Sequence, residues 1–163
     1  MDEVDPQQQL ELAGRLYEML QPGQELGPWE TVFTEEDVRA YAAAIGDDDP
    51  WYLRRSASGG LRCHPAMTAP ISIWLFQEER HRMLGEPAQP LVGVHAAACH
   101  HYLGPVPVGK RLIARSKVTD KYIRRQRYYA VVETRTVDEE GRDVVHSRDT
   151  FLLTPVRIPG EAG

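Results

Sequence analysis

Residues 69–84, APISIWLFQEERHRML, decide how this sequence folds. Pro70 suits a first helical turn, where its missing N–H costs nothing, and Gly85 provides the stop. Ile71, Ile73, Trp74, Leu75 and Phe76 make the first half apolar nearly all round, so that half is predicted to be buried. The second half turns polar. A helix of this kind needs a wall around it, and the downstream sequence has the texture of one. LVGVHAAACHHYL (91–103), RLIARSKVTDKYI (111–123), RYYAVVETRTV (127–137) and DVVHSRDTFLL (143–153) read as strands, with GPVPVG (104–109) and DEEG (138–141) as turns.

Upstream, residues 8–20 place Leu10, Leu12, Leu16, Met19 and Leu20 at near-helical spacing, and QPGQELGPW (21–29) ends that segment. A short strand-like WETVF (29–33) follows. Thr34 and Asp37 then form an S/T-x-x-acid opening for a helix whose Val38, Tyr41, Ala42 and Ile45 recur at i, i+3, i+4 and i+7. Gly46 stops it. Helices first and strands last give an α+β chain, an antiparallel sheet covering one buried helix. The expected division is a peripheral N-terminal helix over 1–24, a single domain over 25–156 and a loose tail over 157–163.

A chain of 163 residues, 42% hydrophobic and with a formal net charge of -5, is long enough for one core and has no excess of positive charge to suggest nucleic acid. The densest basic run, KYIRRQRYY (121–129), lies in a strand-like stretch and is offset by acids downstream. Cys63 and Cys99 have no CxxC spacing and the start lacks the build of a signal peptide, so free thiols in a reducing cytoplasm are expected. No apolar run approaches the roughly 20 residues of a membrane span. No Gly-rich phosphate loop occurs, and no organic cofactor is expected.

The chemistry gathers at AAAIGDDDPWY (42–52). An EF-hand spaces its acidic ligands at alternate positions and closes with a glutamate, and neither feature is present. Asp48 and Asp49 read as solvated or as a turn with Pro50. Asp47 reads equally as structure or as chemistry. Trp51 and Tyr52 supply apolar area, as core or as the lining of a binding tunnel. His95, His100 and His101 share one strand, and alternation places His95 and His101 on one face with His100 on the other. No Cys/His cluster has the spacing of a zinc site, so no metal is expected. Each histidine is either a satisfied structural group or a candidate acid/base.

FTEEDVRAYAAAIGDDDPWY (33–52), the AP that opens the buried helix, HHYLGPVPVGKRLIARSKVTDKY (100–122) and VVETRTVDEEGRDVVHSRDTFLL (131–153) together resemble the MaoC-like hydratase/dehydratases. The closer likeness is to their N-terminal-type domain, found in fatty-acid synthase dehydratase regions and in small two-subunit acyl dehydratases. The likeness covers about residues 25–154 and implies a hotdog fold, a long central helix wrapped by an antiparallel sheet. It also implies dimerisation, with a thioester tunnel at the interface. Catalytic members carry an aspartate and, five positions later, a histidine, in a pattern like G-D-x-N-P-x-H. They add water across a trans-2-enoyl thioester or remove it. One group serves the water and the other the α-carbon proton. Gly46, Asp47 and Pro50 match; Asp49 replaces the asparagine, and Tyr52 stands where the histidine belongs.

The resemblance therefore implies a hydratase/dehydratase subunit or degenerate member with an incomplete Asp/His dyad, acting on a coenzyme A or acyl-carrier-protein thioester. Its expected partner is itself or a paralogous hotdog chain, since one such sheet leaves an edge to cover. One alternative is a self-sufficient (R)-specific enoyl-CoA hydratase with a displaced histidine, for which His95 and His101 are the candidates beside Asp47 and Tyr52. Others are a non-enzymatic acyl-binding or assembly module and a hotdog thioesterase. Pro50, Trp51, His64 and Trp74 are expected along the substrate path. Ile71 and Ser72, at the start of the buried helix, can offer N–H groups to the thioester carbonyl unless Thr68 or water caps them. Arg111, Arg115 and Lys117 alternate along a strand, either to meet the phosphates of the thioester carrier or as a solvated face.

Overall fold

Alternating apolar and polar residues from 111 to 153 form three long strands, and the computed structural model of the chain, which describes residues 5–53, 61–85 and 93–154, places them in one antiparallel sheet. The elements run α1 (Pro6–Met19), β1 (Glu25–Val32), α2 (Glu35–Ile45), α3 (Pro50–Leu53), a 3-10 turn (Pro65–Thr68) and α4 (Pro70–Leu84). Strands β2 (Val94–Tyr102), β3 (Arg111–Arg124), β4 (Arg127–Asp138) and β5 (Asp143–Leu152) follow. The strand order is β1-β3-β4-β5-β2. The architecture is thus the expected α+β hotdog. The anticipated tail over 157–163 lies outside the described residues.

Strand parity decides what the sheet presents to α4. Leu112, Ala114, Ser116 and Val118 of β3 are buried, as are Ala130, Val132, Thr134 and Thr136 of β4. They face Ile71, Leu75 and Phe76 of α4 in one apolar core. Ser116 and Thr134 satisfy each other inside it through a 2.7 Å hydrogen bond, which removes the penalty for two buried hydroxyls. α4 is tied to β1 where the strand register breaks between Leu26 and Trp29. There Glu79 accepts the Gly27 N–H at 3.1 Å, and Gly27 takes φ +92° with Leu75 close by. A side chain at Gly27 would be both strained and crowded.

α1 is a layer of the core. Leu12, Ala13, Leu16 and Leu20 are buried in the same cluster as Leu75 and Val132. Tyr17 stacks on Tyr128 at 4.9 Å, and Lys121 donates to the Tyr17 carbonyl at 2.8 Å. α1 thus buries one face against the sheet and α4 and leaves the other exposed. The physical basis of that face was visible: Leu12, Leu16 and Leu20 recur every four residues and make one continuous stripe.

β2 brings a second correction. The β2–β5 register shifts between His95 and Ala97, a bulge that inserts one residue and reverses every later side chain. His95 pairs with Phe151 and turns inward, whereas His101 pairs with His146 and is exposed. The two histidines lie on opposite faces. β1 and β2 are the sheet edges, and β2 exposes Val94, the alanines 96–98 and Tyr102. No helix among the described residues is long and apolar enough to cross a membrane.

Candidate active site

α2 delivers Asp47. Thr34 and Asp37 form the expected capping box, the Thr34 hydroxyl accepting the Asp37 N–H while the Asp37 carboxylate accepts the Thr34 N–H. The Thr34 N–H and the Thr34 hydroxyl both donate to the Asp37 carboxylate and hold it below its ordinary range. At the other end Gly46 adopts the left-handed conformation at φ 69° and closes the helix. The chain then turns on its own carboxylates. Asp47 Oδ1 accepts the Asp49 N–H at 2.9 Å, and Asp49 Oδ1 accepts the Trp51 N–H at 2.8 Å. Asp49 is therefore a turn residue, as the sequence suggested, and Asp48 is exposed. The second oxygen of Asp47 is directed elsewhere.

That oxygen, Oδ2, lies 3.9 Å from His64 Nε2, and each side chain is about a quarter exposed, 23% and 26%. The separation is too long for a direct hydrogen bond. It is the kind of gap in which a polar oxygen bridges two groups. His64 caps the 3-10 turn, its Nδ1 accepting the Ala66 N–H at 3.1 Å. When neutral, the ring therefore carries its proton on Nε2, the nitrogen that faces Asp47. Tyr52 packs on the imidazole at 4.8 Å, and Tyr41 of α2 lies on it at 5.5 Å. The tyrosine that occupies the expected histidine position thus rests against a histidine supplied by another loop.

The 64–68 turn is held from the sheet edge. The Pro65 carbonyl accepts from Tyr102 Oη of β2 at 3.0 Å and from Thr68 Oγ1 at 2.8 Å. Thr68 thereby spends its hydroxyl on the preceding turn, and Ala69, the N-cap of α4, makes no side-chain cap bond. The Thr68 cap considered as an alternative does not form. Ile71 and Ser72 are buried at the start of α4, and Ser72 Oγ has no hydrogen-bond partner among the described residues. An uncapped helix start carries positive partial charge and free N–H donors. Beside it, burial first and the Asp37 charge second push the Cys63 thiol up to about 12. It is protonated, and poorly suited to nucleophilic attack.

The other candidates are placed elsewhere. Pro50 opens α3. Trp51 is 57% exposed, with the Arg62 guanidinium 3.4 Å above its ring. Trp74 is exposed against Trp29, at 5.4 Å. His95 is bonded through Nε2 to Asp149 Oδ1 at 2.8 Å and stacks on Phe151. His101 faces outward. Among the described residues neither pairs with Asp47, and no three His, Cys, Asp or Glu side chains converge as a metal would require. The sequence reading missed Tyr41, Arg62 and Asp149. Asp149 carried a signal, being an acid on the inward parity of β5 with Val145 and Phe151.

A sheet wrapped around one buried helix defines a hotdog protein. Residues 20–147 match the sequence profile of the FAS1-like dehydratase domain region, and the chain belongs to that family, whose hotdog is of the MaoC-like type. No curated protein matches it. Among solved structures it is similar to the (R)-hydratase of A. caviae involved in PHA biosynthesis. The TM-score is 0.62 at 21% identity, covering 86% of this chain and 98% of that one. It is similar also to the HadBC 3R-hydroxyacyl-ACP dehydratase complex of Mycobacterium tuberculosis, with TM-score 0.65 and 18% identity over 80% and 96%. The ChsH1-ChsH2 complex of the same organism gives TM-score 0.61 and 14% identity over 96% and 97%.

Proposed function

We propose that this chain hydrates a trans-2-enoyl thioester, or dehydrates the matching 3-hydroxyacyl thioester, with Asp47 and His64 as its polar pair. The observation that carries the reading is the 3.9 Å approach of His64 Nε2 to Asp47 Oδ2. A carboxylate accepts and an Nε2–H donates, so the two can hold one water between them. In hydration Asp47 takes a proton from that water while the oxygen forms a bond to the β carbon. The alkene electron pair moves onto the thioester carbonyl, and the N–H groups at the start of α4 stabilise the enolate. The proton held by Asp47 then returns to the α carbon, so the elements of one water are added in full. His64 donates to the oxygen throughout and positions it.

A second reading is favoured by Tyr52 at the family's histidine position and by the two-chain assemblies among the similar structures. In it this chain shapes the acyl site and a partner hotdog chain supplies the acid/base groups. Both readings place a second chain against the edge of β2, which has no strand beyond it among the described residues.

Loss of the enoyl-thioester absorbance band, with crotonyl-coenzyme A and a longer enoyl-coenzyme A mixed with the purified chain alone, separates the two. The first reading expects turnover, reduced about 10²- to 10⁴-fold by Asp47→Asn, with His64→Gln also impaired. Turnover that survives Asp47→Asn would overturn it. A folded chain that is inactive alone but active with a partner would establish the second.

A further inference from the structure

The outer face of the sheet carries a groove whose lining includes neither Asp47 nor His64. Its cavity is about 470 Å³, within the range of small-molecule sites. It runs across all five strands on the side away from α4, and two rows of side chains line it. In one row Arg115 of β3 lies directly opposite Arg135 of β4, Arg135 opposite His146 of β5, and His146 opposite His101 of β2. Four basic residues are thus in direct cross-strand register, over three strand spacings or about 14 Å. The second row adds Lys117 and Arg148 together with Glu25 and Glu133.

Like charges set directly opposite each other destabilise a sheet. A solvated antiparallel face ordinarily alternates signs, as the second row does. The first row departs from that pattern although the chain as a whole carries a net charge of -5. Part of the charge is compensated from the side. Asp143 accepts from Arg135 at 2.5 Å and from His146 at 3.1 Å, and Arg148 lies 3.6 Å from Glu133. Lys117 faces Glu25 in the register without an ion pair within 4 Å. Arg115 has no acidic partner among the described residues, and its nearest counterpart across the strand is another guanidinium. Guanidinium forks match phosphate oxygens in pairs. Two imidazoles at one end supply flat faces and further donors.

We infer that this groove is a binding site for an organic phosphate with more than one phosphate group, of nucleotide size. Its phosphates bridge Arg115 and Arg135, and its planar part lies toward His146 and His101. The ligand supplies the negative charge that the row lacks. Two sources carry this chemistry, the nucleotide end of a coenzyme A thioester and a separate nucleotide.

Isothermal titration calorimetry of the full chain in low salt, with coenzyme A, adenosine 3′,5′-bisphosphate and pantetheine as probes, tests the site. The two phosphate compounds are expected to bind, more weakly as salt rises, and pantetheine is not. Arg115→Gln should weaken binding at least about tenfold, as for loss of a charge-assisted contact. Without ligand it should melt at the same temperature as the parent or higher, because a repulsion has been removed. Equal affinity of parent and variant, or binding of pantetheine as strong as that of coenzyme A, would overturn the site. An Arg115→Gln variant with a raised KM for crotonyl-coenzyme A assigns the groove to the substrate's own phosphates. Bisphosphate binding with no change in KM assigns it to a separate nucleotide. The calorimetric readout needs no turnover, so the groove stands or falls independently of the hydratase reading.

Discussion

Replacing His95 by alanine distinguishes a structural histidine from a catalytic one, and the structure fixes the size of the effect. Asp149 is completely buried. Its two oxygens accept from His95 at 2.8 Å and from Ser147 at 2.7 Å. With His95 gone, one oxygen of a buried carboxylate has no partner in a space walled by Phe76 and Phe151. Removing one member of a buried pair costs about 3–5 kcal/mol, and water reaches a quarter of the His95 side chain, which places the expectation near the low end, about 3 kcal/mol. For a domain of this length each kcal/mol lowers Tm by about 2–4 °C, so the shift is about 6–12 °C.

Asp149→Asn keeps the shape and most of the hydrogen bonding, and should cost about 1 kcal/mol. The double replacement His95→Leu with Asp149→Leu leaves neither a charge nor an unpaired polar atom. It should be less destabilising than the sum of the single His95→Leu and Asp149→Leu changes, by about 2 kcal/mol of coupling. Urea unfolding at fixed protein concentration measures all of these. A His95→Ala, His95→Leu or Asp149→Leu change costing less than about 1 kcal/mol, or a double change additive within about 0.5 kcal/mol, would refute the reasoning. So would a His95→Ala protein of parental stability that had lost turnover, since that is the behaviour of a catalytic group.

Two further outcomes follow from the hydrogen bonds. Burial works against the Asp138 carboxylate, but the Arg142 side chain and the Arg142 and Glu140 N–H groups outweigh it and hold the group at about 2. A depressed carboxyl contributes stability that is present above its unfolded value near 4 and is lost as pH falls toward the folded value, so Asp138→Asn should flatten the acid limb of a Tm-against-pH curve between about pH 4 and 2. An unchanged limb would count against this. Thr34→Ala removes the α2 cap and should cost about 1 kcal/mol in urea unfolding. A neutral result would show that the box at Thr34 and Asp37 does not hold the helix that carries Asp47.

The fold was legible because two periodicities in the sequence conflict with any other arrangement. Residues 71–76 are too apolar for a surface helix, and the strands at 111–153 alternate in the way of a sheet with one covered face. What sequence parity missed was a single residue. The bulge between His95 and Ala97 has no marker in VHAAACHHY, because it falls among alanines that fit either face. Unbroken alternation puts His95 and His101 on one side. The register shift sent one to the core and the other to solvent.

The site divides along the same line between local and long-range information. Asp47 was legible because the αL stop at Gly46 and the Asx turn onto Asp49 are properties of a few consecutive residues. His64 as its partner was not, since nothing local in LRCHPAMTAP states that its imidazole returns to the end of α2. That approach depends on three restraints from separate parts of the chain: the Ala66 N–H on Nδ1, the Tyr52 ring on the imidazole and the Tyr102 hydroxyl on the Pro65 carbonyl. Each orients the ring or its turn, and none of them uses Nε2. The nitrogen facing Asp47 is left available by the contacts that fix its direction, as a group requires if it is to hold a reacting oxygen.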